Sequence, residues 1–218
     1  MKAHRSYMFC RLVLALLISS AYIPAQEMKP LLLPPPQTSG GKPLMQALKE
    51  RQSRREFSPK PLPPQVLSNL LWAAFGINRP ESGKRTAPSA VNWQEIDVYA
   101  ATAGGLYVYD PKGNKLDPVL AEDVRGATGG QAFVKEAPLD LVYVADMAKT
   151  GGVPAGEAKD LFTAADAGFI AQNVYLFCAS EGLAVVVRGG VDRAALAKVM
   201  KLRPDQRILL AQTVGYPK

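Results

Sequence analysis

Leu139-Asp140-Leu141-Val142-Tyr143-Val144-Ala145 is a nearly unbroken apolar run, rich in β-branched and aromatic side chains. A strand with apolar residues on both alternating faces has none to give to water, so this stretch reads as a central strand covered on both sides. Downstream, Glu157 to Ser180 reads as one long helix. Its Phe162, Ala164, Ala165, Gly168, Phe169, Ala171, Val174 and Leu176 surround most of the circumference. A helix apolar on nearly every side should be buried, here in a subunit interface. Gly182 followed by Leu183 suits a left-handed cap with its hydrophobic contact. Two more strands, Leu183 to Val187 and Ile208 to Val214, flank a helix of about Arg193 to Leu202 that Asp192 can cap.

Working back towards the N-terminus, Ile96, Val98 and Ala100 alternate with polar or amphipathic neighbours. Gly104-Gly105 then leads into Leu106 to Tyr109, which predicts a β-hairpin. A short helix is expected around Pro118 to Arg125, followed by a glycine-rich stretch from Gly126 to Gly130. Between Ile77 and Val91 there is no periodicity but many turn residues, and ordered loops of that length are usually functional. A helix follows Pro63-Pro64, with Val66, Leu67, Leu70, Leu71 and Ala74 on one face and Gly76 as its stop. Another runs from Leu44 to about Lys49. Residues 26–42, with Pro30, Pro34 to Pro36, Gly40 and Gly41, read as an extended leader outside the core. No internal repeat interrupts this single-domain pattern, so 43–218 is expected to be one domain.

The first 25 residues read as a signal peptide. Lys2, Arg5 and Arg11 precede an uncharged apolar run from Leu12 to about Ile23, with small residues at Ser19, Ala21 and Ala25 for cleavage. That run falls short of the roughly 20 apolar residues a membrane span needs. No arginine pair marks a twin-arginine signal, so the expectation is export to the periplasm or medium with no stable span after cleavage. Cleavage removes three cations and lowers the formal net charge from +7 to +4, too mild and scattered for nucleic-acid binding. It also removes His4, the one histidine, and Cys10. The remaining Cys178, mid-helix between Phe177 and Ala179, reads as an inert buried thiol. No intrachain disulfide, histidine-ligated metal centre or Ser-His-Asp triad can be built from such a chain. An enzyme of this composition draws its reactivity from a cofactor.

Four segments carry the chemistry. Arg51-Gln52-Ser53-Arg54-Arg55 offers forked guanidiniums on either side of a hydroxyl, which suits a phosphorylated ligand but equally suits a solvated basic turn. Pro88-Ser89-Ala90-Val91-Asn92-Trp93-Gln94 places polar side chains before a strand, for the edge of a heterocycle or simply for a loop. In Val187-Arg188-Gly189-Gly190, two glycines end a strand and let backbone approach a flat ligand or make a tight turn. The chain closes with Gly215-Tyr216-Pro217-Lys218, a strand end carrying one cation.

In this order and spacing the segments resemble the nitroreductase family of FMN flavoproteins, over nearly the whole stretch from Leu44 to Lys218. The family's Arg-x-Ser-x-Arg/Lys opening fits Arg51, Ser53 and Arg55, and its Pro-Ser-x-x-Asn-x-Gln fits Pro88, Ser89, Asn92 and Gln94. Within the family, Leu71 to Arg79, Lys84 to Ser89 and Gly105-Leu106-Tyr107 look most similar to the SagB-type oxidases. The resemblance implies an α+β fold with a mixed central sheet flanked by helices, in an intertwined homodimer. It implies FMN as cofactor, with Arg51, Gln52 and Ser53 at the phosphate and ribityl chain and Arg55 near the N1/C2 edge. Arg188 and Gly189 would lie at the N5 side, with a backbone N–H facing N5. Pro88, Ser89 and Asn92 would reach the flavin of the partner subunit. Relatives often carry a further cation beyond the last strand as a phosphate clamp, and Lys218 would take that place.

The function so implied is FMN-dependent hydride transfer from a donor such as NAD(P)H to a small organic acceptor, a nitroaromatic or a quinone, with no catalytic side chain and no metal. No Gly-x-Gly-x-x-Gly segment follows a strand, so a nicotinamide would stack on the flavin. The alternatives are a SagB-like dehydrogenase or oxidase returning electrons to dioxygen, and a noncatalytic flavin-binding envelope protein. With His4 gone, no side chain has an unperturbed pKa between about 5 and 8, so flavin reduction should vary weakly with pH there.

Overall fold

The computed structural model describes residues 28–152 and 156–218; the expected signal peptide lies outside them. In chain order the elements are β1 (Leu31–Leu32), α1 (Leu44–Glu50), β2 (Phe57–Ser58), α2 (Pro64–Phe75), β3 (Ile77–Arg79), β4 (Lys84–Arg85), β5 (Ile96–Thr102), β6 (Gly105–Asp110), β7 (Lys115–Leu120), α3 (Ala132–Glu136), β8 (Leu139–Asp146), α4 (Glu157–Glu181), β9 (Ala184–Arg188), α5 (Arg193–Val199) and β10 (Gln206–Pro217). The sheet runs β1-β7-β6-β5-β8-β10-β2, with β9 also on β10, and its pairs among the described residues are antiparallel. This is the α+β architecture expected, a central sheet flanked by helices. Among the described residues no helix is long and apolar enough to cross a membrane.

β8 is buried along its whole length between β5 and β10, as its apolar run requires. Leu139, Leu141, Tyr143 and Ala145 face a core shared with α2 and α4. Val142 and Val144 face a second core, closed by Leu196 and Met200 from α5 and its C-terminal cap. α2 stops at Gly76, where a Cβ would lie 2.5 Å from the Trp72 ring, so close packing rather than a left-handed turn demands glycine. α4 ends on Gly182, which takes the left-handed φ of 71° expected of it.

Four expectations change. The helix placed around Pro118 to Arg125 is instead β7 for its first part, with a single 3-10 turn at Arg125–Ala127. Pro118 is tolerated there because only Lys115 and Leu116 pair with β1, leaving its missing N–H without a strand to serve. The segment after Ile77 contains a small hairpin, β3 with β4. The proline-rich leader is not outside the core: β1 extends the sheet and Leu33 is buried. Ser68 and Asn114 donate hydrogen bonds to the Pro34 carbonyl, at 2.6 and 2.8 Å. Finally, α4 buries only the side carrying Ala167, Ile170, Ala171, Val174, Tyr175 and Cys178. Leu161, Phe162 and Phe169 remain exposed on a single copy, as do Leu44, Met45 and Leu48 of α1.

Candidate functional site

The arginine segment crosses from α1 to β2 along the free edge of β9. β9 pairs only with β10, so its other edge has backbone groups to spare. The Arg54 N–H donates to the Val185 carbonyl at 2.9 Å, and the Val187 N–H donates to the Tyr175 hydroxyl at 2.9 Å. Tyr175, buried on α4, also bonds the Ser53 hydroxyl at 2.7 Å and carries the Arg51 guanidinium 5.3 Å above its ring. Two segments expected from sequence, Arg51–Arg55 and the strand ending at Gly189, are thus tied together by one side chain the sequence did not single out.

Two neighbouring cavities open here. One, of about 430 Å³, is lined by Lys42, Lys49, Glu50, Arg51, Gln52 and Arg54 above Tyr175 and Cys178, with Glu50 paired to Lys42 at 2.6 Å. The other, of about 380 Å³, is formed by Arg54, Arg55, Glu56, Pro217 and Lys218. Lys218 arrives there because β10 pairs with β2, Tyr216 opposite Ser58 and Pro217 opposite Phe57. Arg54 lines both cavities, although the alternation of Arg51, Ser53 and Arg55 had left it out. Among the described residues, none of Arg51, Arg54, Arg55 and Lys218 makes an ion pair with a carboxylate. Guanidiniums without a carboxylate partner are a donor set that fits a phosphorylated anion. Burial pushes the Cys178 thiol well up, so it stays protonated and unreactive.

The other expected ligands are placed differently. Arg188 turns inward: its guanidinium meets Asp140 at 2.8 Å and is further bonded to Thr128 and Thr213. Strand parity is the reason, since Ala184, Val186 and Arg188 share one buried face of β9. Gly129 makes room, because a Cβ there would collide with the guanidinium. The expected role of Arg188 towards a cofactor is therefore corrected to its main chain alone. Gly189 is exposed, with open space where a side chain would be.

Pro88, Ser89 and Asn92 line neither cavity. They form a strained loop in which Val91, Asn92 and Gln94 all take positive φ, between 50° and 57°. Polar contacts hold it there. The Ser89 hydroxyl accepts from the Gln94 N–H at 2.8 Å and donates to Glu95 at 3.2 Å; the Ala90 N–H donates to Asp166 of α4 at 2.8 Å. Gln94 is occupied by Arg85, Gly83 and Asn92, while Val91 and Asn92 face outward. Beneath the loop, burial pushes the Glu95 carboxyl up to about 7 and the nearby Asp166 charge adds to the rise. One Glu95 oxygen is buried with no partner. The window from pH 5 to 8, expected to hold no unperturbed group, thus contains this perturbed one, and Asp140 as well, raised by burial to about 7. Among the described residues no cluster of three or more His, Cys, Asp or Glu could hold a metal.

Comparison with known proteins agrees with this architecture. The sequence profile of the Nitroreductase family matches residues 48–216. A nitroreductase relative from Methanocaldococcus jannaschii is 29% identical over 177 residues, 77% of this chain and 88% of its own. The crystal structure of another such relative, from Ralstonia eutropha, superposes with a TM-score of 0.84 at 46% identity, covering 89% of this chain and 92% of that one. The NADPH:FMN oxidoreductase of Vibrio harveyi shares the fold, with a TM-score of 0.60 at 22% identity over 80% of this chain and 69% of its own. With profile, relatives and fold in agreement, the chain belongs to the nitroreductase family and is a flavin-dependent oxidoreductase.

Proposed function

We propose that the protein binds FMN across the two cationic cavities and passes electrons from a nicotinamide or similar donor to a small organic acceptor such as a quinone or nitroaromatic. The observation that carries this is the set of Arg51, Arg54, Arg55 and Lys218, which line the two neighbouring cavities without an ion-pair partner among the described residues, beside the Ser53–Tyr175 hydrogen bond. Arg54, Arg55 and Lys218 are exposed and Arg51 half-buried, so their charges are open to the negative charge of a ligand. Arg51, Ser53, Gln52 and Lys218 would hold the phosphate and ribityl chain, and Arg55 would place positive charge near the N1/C2 edge. The exposed backbone at Gly189 leaves room for a flat ring. When bound, FMN supplies the two-electron chemistry that this chain's own side chains lack.

The protein's own part is binding and electrostatics. Arg55 would place positive charge beside the bound cofactor, where it would favour the form carrying more negative charge. Completion of the site by Pro88, Ser89 and Asn92 of a second copy is part of the proposal. It is supported by the outward-facing Asn92 and by the exposed Leu161, Phe162 and Phe169 of α4. Export rests on residues 1–25, whose pattern is that of a signal peptide. The test is direct: purified protein should be yellow or take up FMN stoichiometrically, and should turn over NADH or NADPH with a quinone. Protein that binds no flavin would overturn it. A SagB-type oxidase reading is favoured by Leu71 to Arg79 and Lys84 to Ser89, and predicts dioxygen consumption with an organic donor in place of nicotinamide.

A further inference from the structure

We propose that Tyr175 is a positioning residue that sets the Ser53 hydroxyl as a hydrogen-bond donor to the phosphate group, and so determines preference for a phosphorylated flavin. The argument is a count of hydrogens. A tyrosine hydroxyl has one hydrogen to give and lone pairs to accept with. The Tyr175 oxygen accepts the Val187 N–H at 2.9 Å. For its own hydrogen the one acceptor among the described residues is the Ser53 oxygen at 2.7 Å, on a side chain that is 6% exposed. A buried hydroxyl hydrogen left without an acceptor is costly, so Tyr175 donates and Ser53 accepts. Ser53 itself is exposed. Its own hydrogen is therefore free for a ligand, and the hydrogen bond from the phenol makes it a better donor.

The surroundings fit an anion. Arg51 stacks on the Tyr175 ring at 5.3 Å and the Arg54 main chain is fastened to the β9 edge by its N–H, so a cationic residue lies on either side of Ser53 in the chain. A phosphate offers only acceptor oxygens to this trio, whereas a sugar hydroxyl could make do with a serine that accepts. Tyr175 thus acts through Ser53, without touching the ligand.

The inference rests on the proposed FMN site and is tested by the ratio of two affinities. FMN and riboflavin are titrated into the apoprotein by flavin fluorescence, for wild type, Tyr175→Phe, Ser53→Ala and the double variant. Losing one charge-assisted hydrogen bond should raise the FMN dissociation constant about tenfold in each single variant, with riboflavin nearly unchanged. The double variant should also lose about tenfold in total, not a hundredfold, because both changes remove the same contact. A merely structural role for Tyr175 would weaken both flavins alike and leave their ratio fixed. Equal loss for the two ligands, or additive loss in the double variant, overturns the inference while leaving the flavin site intact. Wild type that binds neither flavin overturns the site and the inference together. Should Tyr175→Phe fail to fold, Ser53→Ala decides: an unchanged FMN-to-riboflavin ratio refutes the donor role.

Discussion

Replacing Glu95 by glutamine should make the protein more stable at pH 8 and be nearly neutral in effect at pH 5. Glu95 is fully buried, its carboxyl is raised from 4.5 to about 7, and one of its oxygens has no partner. A carboxyl whose folded pKa lies above its unfolded value favours the fold while protonated. That contribution is whole below the unfolded value and is lost as the pH climbs through the folded one. Linkage between 4.5 and about 7 gives a loss on the order of 2–3 kcal/mol from pH 5 to pH 8. In Glu95→Gln the amide cannot ionise, keeps an acceptor for Ser89 and removes repulsion with Asp166. Urea unfolding at fixed protein concentration, at four pH values from 5 to 8, measures the difference between wild type and variant. The raised Asp97 and Asp140 titrate in both proteins and cancel in that difference, whereas Asp166, whose charge acts on Glu95, is read together with it. Parallel curves, or a variant less stable at pH 8, would refute the claim that Glu95 is held protonated.

Arg51→Ala and Arg55→Ala should each weaken FMN binding by tenfold or more at low salt, with the loss shrinking as salt rises; equilibrium dialysis with full retention of FMN would remove both from the site. Asp140→Ala leaves the Arg188 guanidinium buried without its carboxylate and should cost about 3–5 kcal/mol, read from denaturant midpoints. Gly182→Ala forces a side chain into a left-handed φ of 71° and should cost about 1 kcal/mol, seen as a lower melting temperature with FMN affinity kept. Phe169→Asp charges an apolar face that is exposed on one copy, and should shift sedimentation from dimer to monomer with release of FMN.

The elements legible in the sequence were those whose signal is local. β8 could be read because its apolar run occupies both faces of one strand, and Gly182 because a helix end asks for a left-handed residue at that point. Arg51, Ser53 and Arg55 stood out as a spaced motif. Tyr175 did not, since its partner Ser53 lies 122 residues away and only the packing of α4 on β9 brings them together. Asp166 and Ala90, 76 residues apart, were hidden for the same reason. Arg188 was misread because a cation before two glycines resembles a ligand contact. Its acid, Asp140, sits 48 residues upstream as the one charged residue in a nearly unbroken apolar run. Pro118 argued for a turn or helix start, and only the two-residue length of β1 explains why a strand could hold it.

α4 carries Asp166 to the loop of Ser89 and Tyr175 to the turn of Ser53, nine residues apart on one rigid helix. At 1.5 Å per residue that spacing is about 13 Å along the axis. The two segments expected to contact flavin are thus held at a fixed separation within one copy, and neither cationic cavity contains both. Ser89 has already given its hydrogen to Glu95, so what the loop offers another molecule is the Asn92 side chain, aimed outward with Val91. The proposed site, which draws on both segments, takes the loop from a second copy. The apolar residues that would meet that copy, Leu161, Phe162 and Phe169, lie on the helix that fixes the loop. Dimer formation and cofactor affinity should consequently rise and fall together when α4 is changed.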